Sequence, residues 1–289
     1  MKKIIVVVGP TAVGKTALSI EIAQLFLGEI ISGDSMQVYE NLPIGTNQVS
    51  LDEQQGVPHH LLNFLPWDQN YSAFDFQKAA NEKIKEIEER GHLPMIVGGT
   101  GLYVQALLEG FSVTDQLATS TSQQENAWDK LQKKDPQLAA TTHPNNQRRI
   151  TRALDRKITT RADPGFDIFF IPLTLPRPTL YERINQRVDE MMTEGLLQEA
   201  EKLYHFQKEN FQEKRTVLQA IGYKEFFPYF AGEISLTEAI ELVKRNSRRY
   251  AKRQITWFKN RMDLTFYQLD EPGVKEEILN QLSQWLKQE

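Results

Sequence analysis

Gly9-Pro10-Thr11-Ala12-Val13-Gly14-Lys15-Thr16 follows directly on the apolar run Ile4-Ile5-Val6-Val7-Val8 and leads into Ala17-Leu18-Ser19-Ile20-Glu21-Ile22-Ala23, whose apolar positions recur at helical spacing. The octapeptide fits G-x-x-x-x-G-K-[ST], and its context, a strand before and a helix after, is the one that gives this pattern meaning. Glycines let the backbone curl until successive N–H groups point inward at anionic oxygens, and the positive end of the following helix adds to that field. Lys15 reaches the terminal phosphate and Thr16 offers a hydroxyl to Mg²⁺. The motif establishes that something phosphorylated binds; it names neither a nucleotide nor a reaction.

Downstream segments repeat the strand-then-helix rhythm. Glu29-Ile30-Ile31-Ser32 reads as a second strand ending in Gly33-Asp34-Ser35-Met36-Gln37-Val38-Tyr39, and Pro94-Met95-Ile96-Val97 as a third ending in Gly98-Gly99-Thr100-Gly101. Ligands of open α/β sheets collect beyond the carboxyl ends of strands, so Asp34 is expected to face the phosphate loop; capping of the next turn by its side chain is the competing role. Many phosphate-loop ATPases hold metal with an Asp at the end of a core strand. This chain has glycines and Thr100 there, which weakens the case for an ATP-driven motor; the glycines are expected to let a ligand approach the backbone. Pro58-His59-His60 falls in an irregular region and, without cysteine or a clear third ligand, makes a poor metal site; the histidines read as structural or substrate-facing. The fold expected is α/β: a P-loop NTPase-like parallel sheet flanked by helices, with a core over 1–111 and 166–289 and a small helical insertion over 112–165.

The 289 residues are 40% hydrophobic and 25% charged, with no cysteine, no signal-peptide pattern at the first residues and no apolar stretch approaching the ~20 residues of a membrane span. A cytoplasmic protein without membrane association is expected. The net charge of −4 conceals two basic concentrations: Lys244, Arg245, Arg248, Arg249, Lys252, Arg253, Lys259 and Arg261 with no acid among them, and Arg148, Arg149, Arg152, Arg156, Lys157 and Arg161 around the single acid Asp155. One such helix reads as a solvated face, whereas two favour a nucleic-acid surface. Arg177–Gly195 and Leu196–Phe206 read as core-facing helices, and Ser235-Leu236-Thr237-Glu238 as a capping box opening a long basic helix.

The whole set, taken with Ile44-Gly45-Thr46, Leu102-Tyr103, Ile221-Gly222-Tyr223-Lys224-Glu225 and Ala251-Lys252-Arg253-Gln254-Ile255-Thr256-Trp257, closely resembles the tRNA dimethylallyltransferases. The resemblance runs in family order over nearly the entire chain. It implies transfer of a dimethylallyl group from dimethylallyl diphosphate to the exocyclic amine of the adenosine 3′ of the anticodon, with Asp34 as general base and Thr100 near the reacting amine. It further implies that Gly9, Pro10, Thr11, Ala12, Val13, Gly14, Lys15 and Thr16 hold the diphosphate with Mg²⁺ on Thr16. The tRNA contacts it implies are Asp34, Ser35, Met36, Gln37, Thr100, Arg148, Arg149, Ile150, Thr151, Arg152, Lys244, Arg245, Arg248 and Arg249. A monomer is expected.

Two departures from the family pattern stand out. The insertion and the link after the first Arg-rich helix are short, around Thr119–Gln124 and Thr159–Asp163, and Gln219 stands where some members carry an arginine on the diphosphate, so Lys252 or Arg253 is expected to assist. A small-molecule kinase accounts for the loop and for Asp34, but not for Gly98-Gly99-Thr100 or the basic helix with Trp257. A non-catalytic RNA-binding module does not account for the intact Lys15, Thr16 and Asp34.

Overall fold

The computed structural model describes residues 2–110, 127–140, 142–155, 165–209 and 215–288, the side chains at 137, 148, 149, 152 and 155 excepted. The described chain forms two compact units, residues 1–108 with 164–289, and residues 109–163.

The larger unit is built on six parallel strands, β1 (Lys2–Val8), β2 (Gly28–Ser32), β3 (His59–His60), β4 (Leu93–Gly98), β5 (Phe166–Thr174) and β6 (Tyr267–Gln268), in spatial order β3-β2-β4-β1-β5-β6. The helices of this unit are α1 (Lys15–Phe26), α2 (Leu51–Gln54), α3 (Ala73–Glu89), α4 (Gly101–Glu109), and then, beyond the smaller unit's α5 (Ala127–Lys134), α6 (Pro136–Ala140) and α7 (Gln147–Asp155), α8 (Arg177–Glu194), α9 (Leu196–Glu209), α10 (Phe227–Phe230), α11 (Leu236–Met262) and α12 (Val274–Leu286). The expected α/β parallel sheet is present.

β1 is apolar at every central position because both its faces are covered. Ile5 and Val7 pack with Leu18 and Ile22 of α1 and Ile278 and Leu282 of α12, while Ile4, Val6 and Val8 pack with Phe76, Ile84 and Ile87 of α3 and Phe258 of α11. A third core forms where α8, α9 and α11 meet, around Val188, Met191, Leu203, Tyr223 and Val243. α11 starts at the expected capping box: Ser235 Oγ accepts from Glu238 N at 3.2 Å and Ser235 N donates to the Glu238 carboxylate at 2.8 Å. Its 27 residues span about 40 Å at 1.5 Å per residue. In the smaller unit Leu131, Ala139, Ile150 and Ala153 form a core of their own.

His59 and His60 are not irregular, although Pro58 before them is. His59 and His60 form the edge strand β3, pairing with Ile30 and Ile31, and His60 Nε2 lies 2.6 Å from the buried carboxylate of Glu29. Arg90 donates two bonds to the same carboxylate, at 2.9 and 2.7 Å, and His92 Nδ1 lies 2.7 Å away, so the histidine is structural. These donors outweigh burial and hold the Glu29 carboxyl down at about 2. A depressed carboxylate pKa means stability that is present above the ordinary 4.5 and is lost as pH falls through about 2. Glu29→Ala is expected to cost about 2–4 kcal/mol at neutral pH, toward the lower end because Arg90 can turn to water. Thermal melts of wild type and variant should differ by on the order of 5–10 °C at pH 7 and converge between pH 4.5 and 2.

Candidate active site

Sheet order assembles the site. β2, β4 and β1 are adjacent, in register through Ser32 with Val97 and Val8 with Gly98, so their carboxyl ends set Asp34, Gly98-Gly99-Thr100 and the phosphate loop side by side at strand spacing, about 4.8 Å per step. The loop makes its turn into α1 at Gly14, whose φ of 102° is in the left-handed region. A cavity of about 630 Å³ is lined by the loop, by Asp34 to Gln37, by Gly45 to Asn47, by Val97 to Gly99, and by faces of α8 and α11.

Charge and chemistry differ along this cavity. Lys15 Nζ donates to the carbonyls of Gly9 and Pro10 at 3.0 and 2.7 Å. Burial lowers its pKa to about 8, partly opposed by the nearby negative charge of Asp34. Burial moves Asp34 the other way, above the ordinary carboxylate range, against the Met36 N–H it accepts at 2.9 Å and the attraction of Lys15. Burial thus moves the two pKa values toward each other within one cleft, a perturbation that marks candidate functional groups. Thr100 Oγ1 accepts from Ser35 N at 3.0 Å and donates to Ser35 Oγ at 3.3 Å, fixing its hydroxyl beside the Asp34 turn. The cap-like bond from Met36 N to Asp34 is real, so both roles weighed for this residue coexist.

α8 contributes two stripes at helical spacing. Arg183 and Arg187 line the cavity as cations, with Lys224 and Arg253 from other segments; Ile184, Val188 and Met191 line it as an apolar wall. Arg187 also donates to Asn47 Oδ1 at 2.7 Å and to Glu194 at 3.0 Å. Of the two cations expected to serve in place of arginine at 219, Arg253 lines the cavity and Lys252 does not.

Residues 37–261 match the family model described as IPP transferase. The chain belongs to the IPP transferase family. It is 47% identical to the tRNA dimethylallyltransferase of Enterococcus faecalis across 100% of this chain and 99% of that protein. That alignment runs over 311 positions, more than the 289 residues of this chain, so the relative carries stretches that this chain lacks. The tRNA dimethylallyltransferase of Bacillus subtilis is 44% identical over 93% of the chain and 91% of that protein. Among solved structures, the full-length tRNA isopentenylpyrophosphate transferase of Bacillus halodurans superposes with a TM-score of 0.77 at 44% identity, covering 99% of this chain and 97% of that one. A eukaryotic dimethylallyltransferase captured acting on tRNA gives 0.79 at 36% identity, over 91% of this chain and 71% of that one.

Segments singled out in the sequence pack against one another. The Glu199 carboxylate, buried on α9, accepts from Ile44 N at 3.2 Å, Gly45 N at 2.9 Å and the Tyr223 hydroxyl at 2.5 Å. Gln37 spends its side chain internally: its Oε1 accepts from Ser32 Oγ at 2.9 Å and its Nε2 donates to the carbonyls of Thr46 and Asn47. A Cβ on Gly98, Gly99 or Gly101 would lie 2.3 Å from Gly33, 2.1 Å from Gln254 or 2.1 Å from Trp257 respectively. Gly98 and Gly99, which are expected to let a ligand approach the backbone, both line the cavity; the Cβ direction is filled at Gly98 by Gly33 just beyond β2, and at Gly99, as at Gly101, by α11.

The residues expected to meet nucleic acid separate into parts. On α11, Arg245 and Arg249 are exposed, whereas Lys244 pairs with Asp189 at 2.7 Å and Arg248 donates to Asn185, both on α8. Ile150 has its side chain fully buried in the core of the smaller unit, which removes it as a side-chain contact, while Thr151 is exposed. The side chains of Arg148, Arg149 and Arg152, together with Arg156, Lys157, Arg161 and the short stretches at Thr119–Gln124 and Thr159–Asp163, lie outside the described residues.

Among the described residues no three His, Cys, Asp or Glu side chains gather as a metal cluster. What the cavity offers is oxygen: the Thr16 hydroxyl at the exposed first turn of α1 and the Asp34 carboxylate. That hard, sparse donor set fits Mg²⁺, which takes one or two protein oxygens and completes its shell with phosphate and water. No described helix is long and apolar enough to cross a membrane.

Proposed function

We propose that this chain transfers the dimethylallyl group of dimethylallyl diphosphate to the exocyclic amine of the adenosine 3′-adjacent to the anticodon in tRNA, releasing diphosphate. The observation that carries this reading is the division of one cavity between a phosphate cradle and, two strands away, a carboxylate with a raised pKa beside a fixed hydroxyl. A small-molecule kinase uses the cradle and Asp34 as well, but leaves the apolar wall of α8 and the exposed arginines of α11 without a task.

The loop N–H groups, Lys15 and Arg253 bind the diphosphate and take up the charge that grows on its oxygen as the allylic C–O bond breaks. Mg²⁺ held at Thr16, when bound, neutralises diphosphate charge. The adenine nitrogen forms the new bond to the allylic carbon, and its proton passes to Asp34, while Thr100 orients the amine. The apolar wall of Ile184, Val188 and Met191 covers the five-carbon group and keeps water from it. An adenine stacked in an anticodon loop cannot reach this depth, so the base is extruded at a cost of a few kcal/mol. Ser35 and Met36 at the rim, and Arg245 and Arg249 on α11, meet the RNA; these two arginines supply phosphate contacts without reading sequence.

The reading is tested by the mass of tRNA after incubation with the protein, Mg²⁺ and dimethylallyl diphosphate, with ATP alone as control. One added prenyl unit on an anticodon-loop adenosine is the expected result; ATP consumed with a small acceptor, and tRNA unaltered, would replace it with phosphoryl transfer. Charge reversal of Arg245 and Arg249 together is expected to weaken tRNA binding and to flatten the dependence of log K on log salt by roughly 0.7 for each phosphate that is no longer neutralised. Filter binding from low to moderate salt checks this, and an unchanged slope would return α11 to a solvated face.

A further inference from the structure

Gln254 is an uncharged polar side chain buried on α11 at the wall of the cavity, where the residue is 5% exposed. Its Oε1 accepts from Thr11 N of the phosphate loop at 3.2 Å, and its Nε2 donates to Gly99 O at the end of β4 at 3.0 Å. Thr11 is thereby held by its N–H to α11. On the other side the chain runs from Gly99 directly into Thr100. Thr100 in turn holds Ser35 next to Asp34. The two hydrogen bonds of Gln254, continued by the Gly99–Thr100 peptide and the Thr100–Ser35 bond, therefore link the phosphate cradle to the carboxylate end, and the link passes through a residue that need not touch either substrate. Gly99 makes room for it, since a Cβ there would stand 2.1 Å from Gln254 Nε2.

We propose that Gln254 is a positioning residue of the transfer reaction: by tying the phosphate loop at Thr11 to the β4 end at Gly99, it sets the separation between the diphosphate and the Asp34–Thr100 end at which the amine is held. The proposal rests on the transfer reading above. The backbone pairing of β1 with β4 stops at Gly98, and beyond it the bond from Thr11 N to Gln254 ties the loop to α11. Misplacement of a reacting group by about 1 Å costs on the order of 100-fold in rate without a comparable loss in binding.

The test compares wild type, Gln254→Met, Gly99→Ala and the double variant in steady-state prenylation of tRNA, with the folded fraction of each measured by thermal melt and used to normalise kcat. Gln254→Met keeps the length of the side chain and removes both bonds; Gly99→Ala leaves Gln254 in the sequence and displaces its carboxamide. Each single variant is expected to lower kcat per folded molecule by roughly 10- to 100-fold while KM for dimethylallyl diphosphate moves less than about 3-fold. The double variant should be no slower than the worse single one, because both break the same link. Unchanged kcat, a change confined to KM, or multiplicative losses in the double variant would each overturn the proposal; if one single variant does not fold, the kcat and KM of the other decide. A wild-type protein that transfers no prenyl group would overturn the transfer reading itself, which is a different outcome from variants that match an active wild type.

Discussion

Asp34→Asn is expected to reduce single-turnover prenyl transfer by about 10²- to 10⁴-fold while leaving tRNA affinity within a factor of about two. The Asn substitution separates the two roles the structure gives this side chain. An amide oxygen can still accept the Met36 N–H, so an Asp34 that merely caps the turn is replaced almost without loss. An amide cannot take the proton of the adenine amine, so a general base is abolished. The pH dependence carries the same distinction with a definite sign. Burial raises the Asp34 pKa, and the carboxylate form is the active one, so the wild-type rate climbs with pH through a value above the ordinary carboxylate range. The variant should lack that acidic limb. Rapid quench at matched donor occupancy across pH 4–8, with gel-shift binding alongside, makes the comparison, and retained turnover in the Asn variant would reduce Asp34 to a turn residue.

Lys15→Met is expected to be the other severe change, lowering kcat/KM for dimethylallyl diphosphate by about 10²- to 10³-fold, the range found when one charge-stabilising donor is removed from a developing anion. The methionine fills the same space, so the loop keeps its packing while losing its ammonium. In the wild type the free-enzyme pKa of Lys15 lies near 8 because burial disfavours the charge. The protonated form binds the anion, so kcat/KM should fall as pH rises through about 8, and Lys15→Met should lose that alkaline limb. Because bound diphosphate restores the ammonium, the limb belongs in kcat/KM rather than in kcat. A limb that persists in the Met variant would assign it to another group.

How much of this was legible before the fold was known follows the range of the forces involved. The phosphate loop, its preceding strand and its following helix were readable because G-x-x-x-x-G-K-[ST] is a local conformational and chemical unit. The capping box of α11 was legible for the same reason. Periodicity marked Leu180, Ile184, Val188, Met191 and Met192 as one face of α8, but an apolar stripe looks the same whether it meets another helix or lines a cavity, and Ile184, Val188 and Met191 do both. Arg183 and Arg187 fell simply among the charges off that face, though their i, i+4 spacing held the signal that they share a direction. His59 and His60 were misplaced because a two-residue strand has no period to detect; only pairing with Ile30 and Ile31 defines it.

By itself the sequence determined that a strand would hand a glycine-bearing loop to a helix, that Asp34 would follow the end of a strand, and that basic residues would concentrate on α11. Those are short-range consequences of backbone freedom at glycine, β-branched residues before it and helical spacing after it. Which strands became neighbours was decided by the tertiary structure, since placing β4 between β2 and β1 depends on covering both faces of a buried sheet with α1 and α12 on one side and α3 and α11 on the other. That long-range choice turned Asp34 toward Lys15, put Gln254 between Thr11 and Gly99, and drew Lys244 and Arg248 into contacts with α8, leaving Arg245 and Arg249 exposed to solvent.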